Sequence, residues 1–283
     1  MIRSDQLPQH PYSLSLQNTN WPQRIVCLTE ETTEFLYSIG EQDRIVGISG
    51  FTVRPAIARK EKPKVSAFTS AKIDKILALK PDLVLGFSDL QADIAAALIK
   101  HGIEVYVFNQ RSINDILRML RALGRLINAQ DKSEPFVDKL EANLSRVSER
   151  ASAYTIKPRV YFEEWWDPII SGIGWVSELI ELAGGVDCFA ENAKHQGGAQ
   201  RIVANPNTVV EREPDIILGS WCGRRFHPHK VGEREGWDNV PAVLNNDIHE
   251  IKSSIILQPG PAALSDGLNA IDQVITKWVA KQK

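Results

Sequence analysis

The chain contains segments that recur in the same order at a nearly constant spacing. LKPDLVLG starts at Leu79 and REPDIILG starts at Arg212, an offset of 212 − 79 = 133 residues. EFLYSIGEQD and ELIELAGGVD are offset by 178 − 34 = 144 residues, and IEVYVF and IHEIKS by 248 − 103 = 145 residues. Three segments that recur in one order at similar offsets predict two similarly built lobes. A length of 283 residues fits this division, since single cores seldom grow beyond about 250–300 residues.

Within each half, strand-like and helix-like stretches alternate. Apolar runs that end in polar or glycine residues are typical of buried strands, and apolar residues at helical spacing occupy the intervals between them. The predicted first-lobe strands are Arg24 to Leu28, Arg44 to Ile48, Asp82 to Gly86 and Ile103 to Phe108. Such alternation predicts an α/β fold with mostly parallel sheets.

The two halves are separated by a stretch with almost no strand signal. Apolar residues recur at helical spacing from Ser112 to about Ala153, and Asp131 to Ala153 can form one helix of over about 30 Å. We therefore predict two lobes joined by a long backbone helix, which limits hinge motion because a continuous helix lacks the backbone freedom of a loop. The predicted parts are a polar extension at 1–23, a lobe at 24–127, the connecting helix at 128–157 and a lobe at 158–283.

Composition and charge limit the partners. The formal charge of −2 and pI of about 6.3 argue against nucleic acid and anionic membranes, and no window reaches the roughly 18 apolar residues of a membrane span. The N-terminus has no apolar signal region, and the three cysteines form neither a pair motif nor a disulfide framework. These features predict a monomer, located in the cytoplasm as the chain is written and in the periplasm if a leader has been removed.

Two tryptophan-rich stretches follow second-lobe strands in this interpretation. In an open α/β sheet, ligands lie beyond the carboxyl ends of the strands. EEWWD at Glu163 to Asp167 and SWCGRRF at Ser220 to Phe226 both fall there, and large rings with charged neighbours are typical of a small-molecule cleft. The alternative is that one of Trp165 and Trp166 packs under the other lobe while the other caps the surface.

The cleft interpretation assigns a role to each candidate residue. Trp165, Trp166 and Trp221 provide flat contacts, and truncating Trp166 or Trp221 is expected to weaken binding with little effect on stability. Phe51 and Phe87 face them from the first lobe. The residues predicted to orient polar groups of the ligand are Glu164, Arg224 and Arg225.

Other chemistries have weaker support in the sequence than binding of a flat ligand. The cationic run from Arg224 to Lys230 is compatible with carboxylates or catecholates, as in a ferric siderophore. Cys222, His227 and His229 are possible metal ligands, but no fourth ligand is evident. SGIGWVSE and LGFSDL each lack a glycine that a dinucleotide fingerprint or a nucleophile elbow requires. We therefore predict no catalytic residues, no metal and no intrinsic cofactor.

The motifs as a set resemble a known family. RIVCLTEETTEFLYSIGEQDRIVGISG, IDKILALKPDLVLG, GIEVYVF, SELIELAGG, VVEREPDIILG and ILQPGPAALSDGL occur in the order found in the helical-backbone (class III) periplasmic-binding-protein family of ABC importers. The resemblance runs from Arg24 to the C-terminus. EEWWDPIISGIGW and GSWCGRRFHPHKVGEREGWDNVPAV are most similar to the cobalamin-binding branch. The resemblance implies a non-catalytic protein that holds a corrinoid edge-on between its lobes, with haem and ferric siderophores as the alternative ligands.

The resemblance also implies a membrane partner, an ABC importer permease. Docking members carry an exposed glutamate on each lobe that pairs with arginines of the permease. The matching positions are Asp74 in AKIDKIL and Asn207 in ANPNTVV. One side chain is shorter and the other uncharged, so we expect weakened docking, which leaves room for a cytoplasmic corrinoid binder.

Overall fold

The computed structural model describes residues 21–282, so most of the predicted extension at 1–23 lies outside the described residues. The first half forms a five-stranded, wholly parallel sheet of order β3-β2-β1-β4-β5. Its elements are β1 (Ile25–Cys27), α1 (Glu30–Ser38), β2 (Ile45–Ser49), α2 (Ala58–Glu61), β3 (Lys64–Ser66), α3 (Ile73–Ala78), β4 (Leu83–Phe87), α4 (Ala92–Lys100) and β5 (Val105–Phe108).

Two long helices lead into the second half, which forms a second sheet. They are α5 (Ile113–Leu126) and α6 (Gln130–Ser152). The elements that follow are β6 (Arg159–Trp166), β7 (Ile169–Ser171), α7 (Gly174–Leu182), β8 (Val186–Asp187), α8 (Ala190–Ala193), α9 (Asn207–Glu211), β9 (Ile216–Gly219), α10 (Pro228–Gly232), α11 (Pro241–Leu244), β10 (Ile248–Glu250), α12 (Ser253–Ile256) and α13 (Leu268–Lys281). The strand order is β10-β9-β6-β7, and β8 pairs with the start of β6.

The repeat in the sequence corresponds to a repeat in the strand order of the two sheets. In the first sheet β2-β1-β4-β5 lie side by side and parallel, and in the second β8-β6-β9-β10 do the same. The two segments that are offset by 133 residues, LKPDLVLG and REPDIILG, contain β4 and β9. These strands occupy equivalent positions, since β4 pairs with β1 and β9 pairs with β6. Within residues 21–282, strand β7 pairs antiparallel with β6 and has no counterpart in the first sheet. The predicted fold class is confirmed.

The predicted connecting helix is α6, which spans 23 residues and packs on α5. Its buried side includes Val137, Leu144 and Val147. These residues belong to a single hydrophobic cluster that also contains Ile25 from β1 and Val160 from β6. A shared core of this kind stabilises one arrangement of the two sheets. The domain boundaries themselves remain a prediction.

One local prediction was wrong, because Glu163 to Trp166 belong to a strand rather than to the loop after it. Strand β6 continues through Trp166 because β7 pairs with it, matching Glu163 with Ser171 and Trp166 with Ile169. Asp167 and Pro168 form the turn between the two strands. The tryptophans are therefore carried by paired backbone, which holds them more rigidly than a loop would.

Candidate ligand-binding site

A row of aromatic rings lines the end of the second sheet. The ring centroids of Trp165 and Trp166 are 4.5 Å apart, those of Trp166 and Trp221 are 4.9 Å apart, and those of Trp221 and Phe226 are 4.9 Å apart. Strand β6 supplies the first two rings and the segment after β9 supplies the others. Trp165 and Trp166 remain half-buried, whereas Trp221 is 5% exposed. The structure thus brings the three predicted tryptophans together and leaves two of them accessible. We call these three residues the tryptophan wall.

A buried carboxylate holds the inner ring of the wall in place. Glu163 is fully buried, and its oxygens accept hydrogen bonds from the indole N–H of Trp221 at 2.9 Å and from the hydroxyl of Tyr161 at 3.0 Å. Arg234 donates to both oxygens, at 2.6 and 2.9 Å. A charge buried in an apolar setting is costly unless it is paired and hydrogen-bonded, and here it is both. The network fixes the orientation of Trp221.

The sequence alone does not predict this network. It places Glu163 in the loop after a strand, and no motif marks Arg234 as its partner. The sequence does contain one signal for it, because Glu163 follows an apolar run in a strand. A carboxylate buried at such a position is almost always paired with a cation. The partner, 71 residues further along the chain, could not be identified from spacing.

Glu164 is also engaged in an ion pair. Its carboxylate accepts from the guanidinium of Arg201 at 2.6 and 3.1 Å, and Arg201, which is 2% exposed, also donates to the carbonyl of Ser171. The pair ties β6 to the turn that precedes α9. Contact between Glu164 and a ligand remains a prediction.

A cavity of ≈ 520 Å³ opens beside the wall. Its lining is one aromatic surface and a set of basic side chains, namely Trp166, Trp221, Arg224, Arg225, His227, Lys230 and Arg234. The guanidinium of Arg224 lies 4.7 Å from the ring centroid of Trp166 and 5.7 Å from that of Trp165, within cation–π range. A second cavity, of ≈ 860 Å³, is also lined by Trp166 and Arg234 and extends to Asn207 and Trp237. Trp166 therefore borders both open spaces.

The predicted first-lobe aromatics differ in exposure. Phe51 is 57% exposed in the turn after β2. Phe87 is 4% exposed, with the guanidinium of Arg111 4.7 Å from its ring centroid and Phe68 packed at 6.4 Å. Neither phenylalanine lines the two cavities described above. Contact between a ligand and the rings of Phe51 and Phe87 remains a prediction. Beside Phe87, the side chain of Arg111 is more exposed than the ring itself.

The ends of the two sheets meet at a polar junction. Gln110, after β5, donates to Glu31 at 3.3 Å and to the carbonyl of Pro259 at 3.1 Å. Gly260 packs so closely on Glu31 that an added Cβ would lie 2.4 Å from the Cβ of Glu31. Desolvation, followed by the charges of Glu164 and of Glu30 in α1, raises the pKa of Cys222. The loop that contains Pro259 and Gly260 therefore packs against the residues that follow β1 and β5.

The comparisons with known proteins agree with this arrangement. The family model described as periplasmic binding protein matches residues 25–255. The chain belongs to the periplasmic binding protein family. The predicted recognition is confirmed, and the chain is a substrate-binding protein of this family.

Relatives of this periplasmic binding protein carry names that specify ligands. A vitamin B12-binding protein of Vibrio parahaemolyticus is 27% identical over 265 residues, covering 92% of this chain and 91% of the relative. The periplasmic vitamin B12 binding protein BtuF of Vibrio cholerae shares the fold, with a TM-score of 0.73 and 21% identity over 91% of this chain and 98% of that one. The periplasmic haem-binding protein RhuT of Roseiflexus sp. RS-1 also shares it, with a TM-score of 0.73 and 21% identity over 89% and 99%.

The two predicted docking positions are equivalent in this periplasmic binding protein. Asp74 lies in the first turn of α3 and Asn207 begins α9, and both are exposed. Their separation, 207 − 74 = 133, equals the offset between strands β4 and β9, so each precedes the matching strand of its sheet. Their function in docking remains a prediction.

The described residues offer neither a clustered metal site nor a membrane-spanning helix. Within residues 21–282 no three or more His, Cys, Asp or Glu side chains are grouped to hold a metal ion, so Cys222, His227 and His229 do not form a ligand set there. Over the same residues, none of the helices is both long and apolar enough to cross a membrane.

Glu31 is expected to make stability fall with rising pH. Burial, followed by the neighbouring charge of Glu30, raises the pKa of Glu31 to about 7, from an ordinary value of 4.5. The folded protein therefore holds this proton more tightly than the unfolded chain, and the associated stability is present below pH 4.5 and lost as pH rises through about 7. Glu31→Gln should flatten the decline in melting temperature between about pH 5 and 8, without abolishing it, because burial also raises the pKa of Glu30 and Glu34.

Glu141→Gln is the matched control for this measurement. Glu141 is partly exposed, and its hydrogen bond with Arg121 lowers its pKa, so it stays ionised throughout this pH range. An equal flattening in both variants would contradict the assignment to Glu31.

Proposed function

We propose that the protein binds a cobalamin-like corrinoid between its two lobes, without catalysis, as the substrate-binding protein of an ABC importer. The observation that carries the proposal is the tryptophan wall at the end of the second sheet, with Trp221 pinned by Glu163. A flat ring system offers the large apolar face that such a wall can cover. The protein holds no intrinsic cofactor in this proposal, since the corrinoid is its cargo.

The wall has enough area to contribute substantially to affinity. Aromatic side chains bury about 150–250 Å² each, and burial stabilises by about 25 cal/mol per Å². The accessible parts of Trp165 and Trp166 therefore supply roughly a few kcal/mol when a ring covers them. Because both side chains are already packed on one side, little side-chain entropy remains to be lost on binding.

The alternative function is binding of haem or a ferric siderophore. Arg224, Arg225 and Lys230 line the cavity beside the wall and offer charge-assisted hydrogen bonds to carboxylates. The name of the similarly folded RhuT specifies haem. The names of the B12-binding relatives, which share more of their sequence with this chain, favour the corrinoid.

The importer partner follows from the same proposal. Asp74 and Asn207 are exposed at equivalent positions on the two lobes, which supports a two-point contact with a permease. Asparagine carries no charge, and loss of a charge pair at an interface mainly slows association. We infer a monomer that docks weakly, acting in the periplasm if a leader is removed from the natural chain.

A retained-colour experiment tests the proposal. The purified protein is incubated separately with cyanocobalamin, hemin and a ferric catecholate siderophore, then desalted and examined by visible spectroscopy. We expect cobalamin absorbance to remain with the protein in proportion to its concentration. Retention of hemin or siderophore without cobalamin would support the alternative function and reject the corrinoid.

A further inference from the structure

The cavity beside the tryptophan wall is strongly cationic. Four side chains with fixed positive charge line it, namely Arg224, Arg225, Lys230 and Arg234, together with His227. Trp166 and Trp221 complete the lining, so among the described residues 21–282 no carboxylate lines it. The cavity therefore places a cationic surface next to two of the three rings of the wall.

Most of this charge has no ion-pair partner within the part of the chain that the structure describes. Arg234 is neutralised by the buried Glu163. The nearby carboxylate of Glu250 accepts the backbone N–H of Phe226 at 3.4 Å and does not line the cavity. None of the ion pairs formed within residues 21–282 includes Arg224, Arg225 or Lys230. Three positive charges thus face one cavity without compensation from the described protein.

We propose that this cavity binds the phosphodiester group of a complete corrinoid. The inference rests on the proposed function, and it adds that the protein distinguishes a corrinoid with its nucleotide arm from one without it. Cyanocobalamin carries a phosphodiester in that arm, whereas cobinamide has the same amide-substituted ring and no phosphodiester. A phosphate oxygen accepts strong hydrogen bonds from guanidinium and ammonium groups, and arginine matches its geometry with two parallel donors.

The position of Trp166 links the ring to the cavity. Trp166 belongs to the wall and also lines the cavity, so a ring that covers the wall has its edge at the cavity mouth. Arg224 lies over the same indole at 4.7 Å, which places one cation at the boundary between the two surfaces. A volume of ≈ 520 Å³ accommodates a phosphate with its adjoining atoms. The aromatic and cationic surfaces therefore fit two parts of one ligand.

The test compares cyanocobalamin with dicyanocobinamide by tryptophan fluorescence, corrected for absorption by the ligand. The wild-type protein is expected to bind cyanocobalamin at least about tenfold more tightly than dicyanocobinamide. The double variant Arg225→Gln with Lys230→Gln keeps the wall and removes two charges. It should weaken cyanocobalamin binding by about tenfold or more and change cobinamide binding by less than about twofold. Since cobinamide also lacks the nucleotide base, the comparison of wild type with variant isolates the contribution of charge.

Lys100→Gln with Lys139→Gln is the control for net charge. Both lysines are exposed, on α4 and α6, and neither lines the cavity. This control should leave both affinities unchanged. Equal affinity of the wild type for the two corrinoids, or equal weakening of both by the cavity variant, would overturn the phosphodiester site while leaving the corrinoid function intact. If the wild type binds neither corrinoid, the proposed function fails and this inference with it.

Discussion

Glu163→Ala is expected to lower the free energy of unfolding by about 3–5 kcal/mol, the cost typical of removing one partner from a buried ion pair. The carboxylate is fully buried and accepts hydrogen bonds from Arg234, Trp221 and Tyr161. Its removal leaves a largely buried guanidinium without a counter-charge and two buried donors without an acceptor. Urea-induced unfolding, followed by circular dichroism, measures this change.

Glu141→Ala is the control for this measurement, because Glu141, like Glu163, accepts two hydrogen bonds from one arginine. Glu141 accepts from Arg121 at 2.8 and 3.0 Å, but its side chain is 42% exposed at the surface of α5 and α6. Exposed pairs contribute about 0–1 kcal/mol, so this variant should lose much less stability than Glu163→Ala. Equal losses in the two variants would show that burial of Glu163 does not determine its contribution.

Trp166→Ala is expected to weaken cyanocobalamin binding by about thirtyfold or more, because truncating an aromatic anchor commonly costs about 2 kcal/mol and about 1.4 kcal/mol corresponds to a tenfold change in affinity. Its melting temperature should change little, since one side of the indole is already accessible to solvent. Isothermal titration and thermal unfolding of the same samples separate the two effects. Tyr106→Ala serves as a control, because Tyr106 is also a partly exposed aromatic, 43% exposed on β5, and lines neither cavity beside Trp166. A fall in stability with unchanged affinity in Trp166→Ala would assign the ring to the core.

The structure corrects the expectation for Trp221. The sequence predicts that Trp166 and Trp221 behave alike, with losses in affinity alone. Trp221 is 5% exposed and donates to Glu163, so Trp221→Ala removes packing and leaves Glu163 short of one donor. It should therefore lower stability as well as affinity.

The repeat and the long helix could be predicted from the sequence because both depend on local patterns. Buried parallel strands are apolar runs, and LKPDLVLG and REPDIILG retain that pattern at β4 and β9. The spacing of apolar residues predicted α6 to within one residue at each end. Neither inference required knowledge of which residues meet in space.

The polar parts of the site could not be predicted in the same way. Glu163 meets Arg234 across 71 residues, and Glu164 meets Arg201 across 37 residues. No periodicity connects these positions, and in the sequence the carboxylates were indistinguishable from groups facing a ligand. The length of β6 was missed for a similar reason, since its last residues are strand only because β7 pairs with them. Long-range pairing thus decides which charged side chains of the site form ion pairs, and within residues 21–282 Arg224, Arg225 and Lys230 form none.

Calorimetric titration of the wild-type protein with cyanocobalamin tests the central claim most directly. The account predicts a saturable heat with one corrinoid bound per chain and a dissociation constant in the micromolar range or tighter, as expected for a ring seated on the tryptophan wall. Absence of heat at micromolar concentrations from folded protein, together with saturable binding of hemin or a ferric siderophore, would contradict it.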